Sequence, residues 1–236
     1  MEMNKKRVAI IGAGTSGLTA IKCCLDEGLE PVCYEKTADI GGIWYCREGK
    51  ECEDFGMSTV FRSTVTNTSK EIMAFSDFPV PLEYPNYMLN TYVNQYLNLY
   101  ADKFNLKKHI VYRTSVKLAE PSDDYDTTGR WRIHLEDQDG RARTEVFDAV
   151  LVCNGHHETP CVPDFPGLGE FQGDVVHTKD YRRPTGYEEK RVLVVGIGNS
   201  ACDAAADVAK ISSKVSVSFT VSEVLTPPDI IVTRYG

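Results

Sequence analysis

Two glycine fingerprints, each set between a short apolar run and an amphipathic stretch, constrain this chain more than any other feature. The first is Gly12-Ala13-Gly14-Thr15-Ser16-Gly17, preceded by the run Val8 to Ile11. In such a motif the first glycine permits a tight turn, the second lets the backbone approach a pyrophosphate, and the third allows close helix–strand packing. Residues 15–27 then place Leu18, Ile21, Cys24 and Leu25 at helical spacing, and Gly28 stops the helix. Pro31 to Glu35 reads as a second strand, so the opening is a βαβ unit whose helix N-terminus faces anionic groups. Glu35 ends that strand, where an acid bonds a ribose hydroxyl and repels a 2′-phosphate. FAD or NAD fits this first turn, and NADP does not.

The second fingerprint is Gly196-Ile197-Gly198-Asn199-Ser200-Ala201, the form with alanine in the third place. It lies between an apolar strand, Arg191 to Val195, and a helix expected over 201–210, with a further strand over 215–219. Two such turns in one chain point to two dinucleotides. A flavoprotein that takes hydride from a nicotinamide is the simplest enzyme with that need. The expected fold class is α/β, with two Rossmann-like dinucleotide-binding domains.

Between the two units, residues 36–90 are irregular and rich in proline, glycine and aromatics, as expected of a wall around a cofactor or substrate. A helix is expected over 91–104, capped by Asn90 or Thr91, with Val93, Tyr96, Leu97 and Tyr100 on its inner face. A strand is expected near 110–116, then a hairpin over 130–147 turning at Asp137-Gln138-Asp139-Gly140, then a buried-type strand over 149–153. The stretch that follows is rich in proline. It sets the boundary between a first domain, residues 1–158, and a second, residues 159–236.

Composition narrows the function classes. The net charge of −8 argues against wrapping nucleic acid. No run approaches the length a membrane helix needs, and the basic-then-apolar N-terminus breaks at glycines as a cofactor motif does. The eight cysteines (23, 24, 33, 46, 52, 153, 161 and 202) form no CxxC pair, so neither a zinc ribbon nor a redox dithiol is written here. Reduced thiols are the expectation. No metal is expected, since His156 and His157 point to opposite faces of an extended chain.

From Gly41-Gly42-Ile43-Trp44 onward the sequence resembles the flavin-containing monooxygenases of the microsomal type. Phe171, Gly173, His177 and Tyr181 match that family's signature FxGxxxHxxxY, between the two glycine turns. Asn67-Thr68-Ser69-Lys70-Glu71, the stretch DFPVP…YPNYM and Cys153-Asn154-Gly155-His156-His157 match further, and the likeness runs from about Lys5 to Lys214.

The resemblance implies that Gly12, Ala13, Gly14, Thr15, Ser16, Gly17, Glu35, Gly42, Ile43 and Trp44 hold FAD. It implies that Gly196, Gly198, Ser200, Ala201, Cys202 and Asp203 hold NADPH. Asn67, flanked by Thr66 and Thr68, matches an asparagine held near the flavin ring and important for oxygenation. Asn67-Thr68-Ser69 also reads as a glycosylation acceptor, a role closed to a domain facing the cytosol. The implied reaction passes hydride from NADPH to FAD and forms a flavin C4a-hydroperoxide with molecular oxygen. An amine or sulfide substrate then takes one oxygen atom. The implied place is the cytosolic face of the endoplasmic reticulum membrane, or the cytoplasm if the chain stops at Gly236. His177 and Tyr181 read as structural.

The likeness lapses after Lys214. An arginine that meets the 2′-phosphate in the family has no counterpart in Val217-Ser218-Phe219-Thr220, and the pattern resumes near Pro228. An internal deletion is expected there, so NADPH preference does not carry over with the resemblance. Against the family, both domains are expected to be incomplete and the hydrophobic C-terminal anchor missing. Two other readings stay open: an inactive cofactor-binding variant, and a flavin disulfide reductase, which the lack of a CxxC dithiol disfavours. Oligomeric state is not legible.

Overall fold

The computed structural model describes residues 5–46, 59–156, 158–219 and 230–235. The chain divides into two compact units, one formed by Met1–Tyr45 with Asn67–His156, the other by Cys46–Thr66 with His157–Gly236. The second unit thus includes the segment Cys46–Thr66. Cys52, His157 and the stretch 220–229, including Thr220 and Pro228, lie outside the described residues. Among the described residues no helix is long and apolar enough to cross a membrane.

In the first unit, strands β1 (Arg7–Ile11), β2 (Glu30–Tyr34), β3 (Ile110–Val111) and β7 (Ala149–Val152) form a parallel sheet in the order β3-β2-β1-β7. A strand exposes alternate residues to opposite faces, and both faces here are covered. Val8, Ile10 and Cys33 join a core with Leu18, Ile21 and Cys24 of helix α1 (Thr15–Asp26). Val93, Tyr96, Leu97 and Tyr100 of helix α2 (Asn90–Lys103) complete that core. Ala9 and Tyr34 face the other way, into a second cluster with Ile133, Leu135 and Phe147. Those three belong to an antiparallel meander of β4 (Thr114–Pro121), β5 (Trp131–Asp137) and β6 (Ala142–Phe147).

Most expected elements form, with three instructive differences. The single strand expected near 110–116 is two, because Arg113 adopts φ 52° and breaks it, sending β3 to the parallel sheet and β4 to the meander. Asn90 does not cap α2. It is the first helical residue and buried, while Leu89 holds the cap position in extended backbone. The strand expected to be buried, β7, is the last strand of its sheet, and its Val152 is 69% exposed. The hairpin turn forms where expected: Gly140 takes φ 75°, and the Asp137 carboxylate accepts bonds from the backbone N–H groups of Asp139 and Arg141 at 2.9 Å.

In the second unit, β8 (Asp174–His177), β9 (Lys190–Val195), β10 (Lys214–Ser218) and β11 (Ile230–Tyr235) form a sheet in the order β10-β9-β11-β8. β9 and β10 run parallel, whereas β11 is antiparallel to both β9 and β8. Helix α3 (Asn199–Val208) packs Ala201, Ala204 and Val208 onto Val192, Val194 and Ile231.

Candidate dinucleotide-binding turns

The first glycine turn is built to leave room. Gly12 takes φ 98°, and a Cβ there would lie 2.6 Å from the Cys153 carbonyl oxygen. A Cβ on Gly17 would lie 1.9 Å from the Gly12 oxygen, so no other residue closes this turn onto α1. Gly14 is different. Its nearest obstacle would be the Gly42 Cα at 3.5 Å, an ordinary contact, so the protein's own packing does not demand glycine there. In a turn of this kind, close approach of a pyrophosphate is what calls for glycine at the second position. Opposite stands Gly42, with φ 56°, and the Gly41 N–H donates to the Ala13 carbonyl at 3.1 Å. Ile43 is exposed, and Trp44 packs against the core from the short 3-10 turn Gly42–Trp44.

Helix α1 begins at Gly14 with no side-chain cap and no acidic residue in its first turn. Thr15 and Ser16 are exposed there. An uncapped N-terminus carries unsatisfied N–H groups and a positive end of the helix dipole, which suits a pyrophosphate. Glu35 is buried, and its carboxylate accepts the Ala13 N–H at 2.8 Å and the Thr37 N–H at 2.9 Å. The Thr37 hydroxyl lies 2.8 Å from the same carboxylate oxygen as the Thr37 N–H. Sequence reasoning found Glu35 and missed Thr37, which locks it. A serine or threonine two residues beyond the acid, able to form such a local turn, was the signal available.

The second turn repeats the first. Gly196 takes φ 126°, Gly198 caps α3 without a side-chain bond, and the first turn of α3 holds no acid. Ala201 is fully buried at the place of Gly17; Ser200 is half-buried and Cys202 exposed. Burial, and then the neighbouring Asp207, push the Asp203 carboxyl above its ordinary range.

The signature tyrosine acts within this unit. Tyr181 is buried, packs edge-on against Phe61 at 4.9 Å, and donates to the Asp207 carboxylate of α3 at 2.9 Å. Ser63 donates to the same Asp207 oxygen at 3.0 Å, and Lys210 to the other at 3.2 Å. Tyr181 thus fixes the helix that carries the second turn. The expected structural reading of His177 has a local basis, since its ring Nδ1 accepts the Lys179 N–H at 3.0 Å.

Asn67 and Thr68 are exposed in a bend and Thr66 is buried, with the division between the two units falling between Thr66 and Asn67. Close by in sequence, buried Lys70 donates through Nζ to the carbonyls of Leu82 at 2.7 Å and Tyr84 at 2.6 Å. That ammonium ties the proline-rich segment to the short helix Lys70–Met73. Nothing in the periodicity marked it. Burial raises the thiols of Cys24, Cys33 and Cys153 above their usual range.

A family model described as flavin-binding monooxygenase-like matches residues 5–226. The chain belongs to the flavin-binding monooxygenase-like family. FAD and NADPH are the cofactors of that family. Among curated relatives of this chain, dimethylaniline monooxygenase [N-oxide-forming] 2 of Cavia porcellus is 46% identical over 215 residues. That match takes in 90% of this chain and 39% of the relative, so the chain spans well under half the length of such proteins. S-allyl-L-cysteine S-oxygenase of Allium sativum superposes with a TM-score of 0.83 at 26% identity, covering 96% of this chain and 54% of that one. An oxidized steroid monooxygenase bound to NADP superposes with a TM-score of 0.63 at 25% identity, covering 91% of this chain and 38% of its own.

Proposed function

We propose that this chain carries the FAD- and NADPH-binding parts of a monooxygenase that oxygenates soft nucleophiles, amines and sulfides. The observation that carries the reading is the doubled glycine turn, in each case opening a helix left uncapped and free of acid in its first turn. The flavin belongs to the first turn, held by Gly12, Ala13, Gly14, Thr15, Ser16 and Gly17 at the pyrophosphate and by Glu35 at the ribose. Gly42, Ile43 and Trp44 form the facing wall. The nicotinamide nucleotide belongs to the second, at Gly196, Gly198, Ser200, Ala201, Cys202 and Asp203. On this assignment the first domain is 1–158 and the second 159–236.

A flavin held by these residues would supply the hydride acceptance from NADPH and the transfer of one oxygen atom of O2 to the substrate, the other atom leaving as water. The chain's part is binding, orientation and exclusion of water. Asn67 supplies an amide that can hydrogen-bond the flavin or the nicotinamide, with Thr66 and Thr68 framing it. Microsomal location and a role toward foreign compounds follow from the family likeness, and the substrate partner is a small amine or sulfide.

The test uses the purified chain loaded with FAD. NADPH added without oxygen is expected to bleach the flavin absorbance, and air is expected to restore it with oxygenation of an added sulfide. Flavin that binds but is not reduced by NADPH would overturn the monooxygenase reading for this chain.

A further inference from the structure

The two glycine turns can be aligned atom by atom within the molecule. The Gly12 N–H donates to the carbonyl of Tyr34, the last residue of β2, at 2.9 Å, and the Gly196 N–H donates to that of Ser218, the last residue of β10, at 2.8 Å. Ile11 pairs with Tyr34 in parallel register, and Val195 pairs with Ser218. The first helical bond runs from Leu18 to Gly14 and from Cys202 to Gly198, both at 3.0 Å. Gly14 and Gly198 even share extended backbone, at φ −74° and −66°. In the first turn the residue after the paired strand end is Glu35. In the second it is Phe219.

We infer that Phe219 holds the ribose-discriminating position of the second turn, and that the nicotinamide site therefore takes NADH and NADPH with similar affinity. This rests on the reading of the second turn as the nicotinamide site. NADPH differs from NADH by a 2′-phosphate on the adenosine ribose. A carboxylate at this position accepts a bond from the free 2′-hydroxyl and repels the phosphate, while a guanidinium pairs with the phosphate. A phenyl ring does neither. It is uncharged, 52% exposed, and offers an apolar face to ribose and adenine. No acid in the first turn of α3 replaces the missing repulsion. The contrast with Glu35 is sharp, because that carboxylate is buried and bonded to the turn itself through the Ala13 N–H.

The test titrates the FAD-loaded chain, its flavin first reduced with dithionite so that no hydride can transfer, with NADPH and, separately, with NADH under anaerobic conditions, reading nucleotide binding by calorimetry. Phe219 is exposed, so Phe219→Glu and Phe219→Arg are expected to fold. The unsubstituted chain is expected to bind the two nucleotides within about threefold of one another. Phe219→Glu is expected to weaken NADPH about tenfold or more with NADH held, and Phe219→Arg to tighten NADPH by a similar factor. A preference of tenfold or more in the unsubstituted chain, or a ratio that neither substitution moves, would overturn the inference and leave the proposed function standing. Loss of binding for both nucleotides in the unsubstituted chain would overturn the assignment of the second turn, and the inference with it.

Discussion

At the scale of single residues, the first site depends on groups the protein has already committed. Glu35 gives its carboxylate to the Ala13 and Thr37 N–H groups, so it is held in place before any ribose arrives. Glu35→Gln keeps the size but turns one acceptor into a donor facing donors. FAD affinity is expected to fall at least about tenfold and stability by about 1–3 kcal/mol, read by flavin fluorescence quenching and urea denaturation. Tyr181→Phe removes one buried bond to Asp207, at an expected cost of about 1 kcal/mol. If Tyr181 positions the second turn, that variant raises the KM for NADPH more than it lowers kcat. Asp148 offers a pH test. Its carboxyl is held below the ordinary range by the backbone N–H of Arg7 and then by the Lys6 ammonium, despite partial burial. A depressed pKa in the folded state means its contribution is present above the unfolded value of about 3.9 and lost as pH falls further. Acid denaturation is therefore expected to steepen below about pH 4, and less so in Asp148→Asn.

At the scale of elements, the strand–helix–strand openings were legible because periodicity and glycine punctuation agree there. α1, β2, β9 and α3 lie within a residue or two of their expected bounds. What could not be read was set by partners distant in sequence. The break at Arg113 has no glycine to announce it, since the residue adopts φ 52° where two sheets claim the neighbouring strands. Arg113→Val is expected to destabilise by about 1 kcal/mol or more, because a β-branched side chain fits the left-handed region poorly. Thermal unfolding reads that change. β11 was equally hidden, as its antiparallel place between β8 and β9 depends on pairing and not on its own composition. Likewise Glu35 could be singled out by its position after a strand, whereas Thr37 and Lys70 act through local bonds that spacing does not encode.

At the scale of the whole molecule, one chain holds two turns of the same construction with different neighbours at the ribose position. On the proposed function they take different ligands, FAD at the first and a nicotinamide nucleotide at the second. The Gly14 site tests this best, because the protein leaves space for a Cβ there, whereas the pyrophosphate proposed for this turn would not. The measurement is the FAD stoichiometry of the purified chain by absorbance, in the unsubstituted protein, in Gly14→Ala and in Gly198→Ala. One FAD per chain is expected, lost or greatly weakened in Gly14→Ala and retained in Gly198→Ala. Flavin that survives Gly14→Ala and disappears with Gly198→Ala, or a folded chain that takes up no flavin at all, would contradict it.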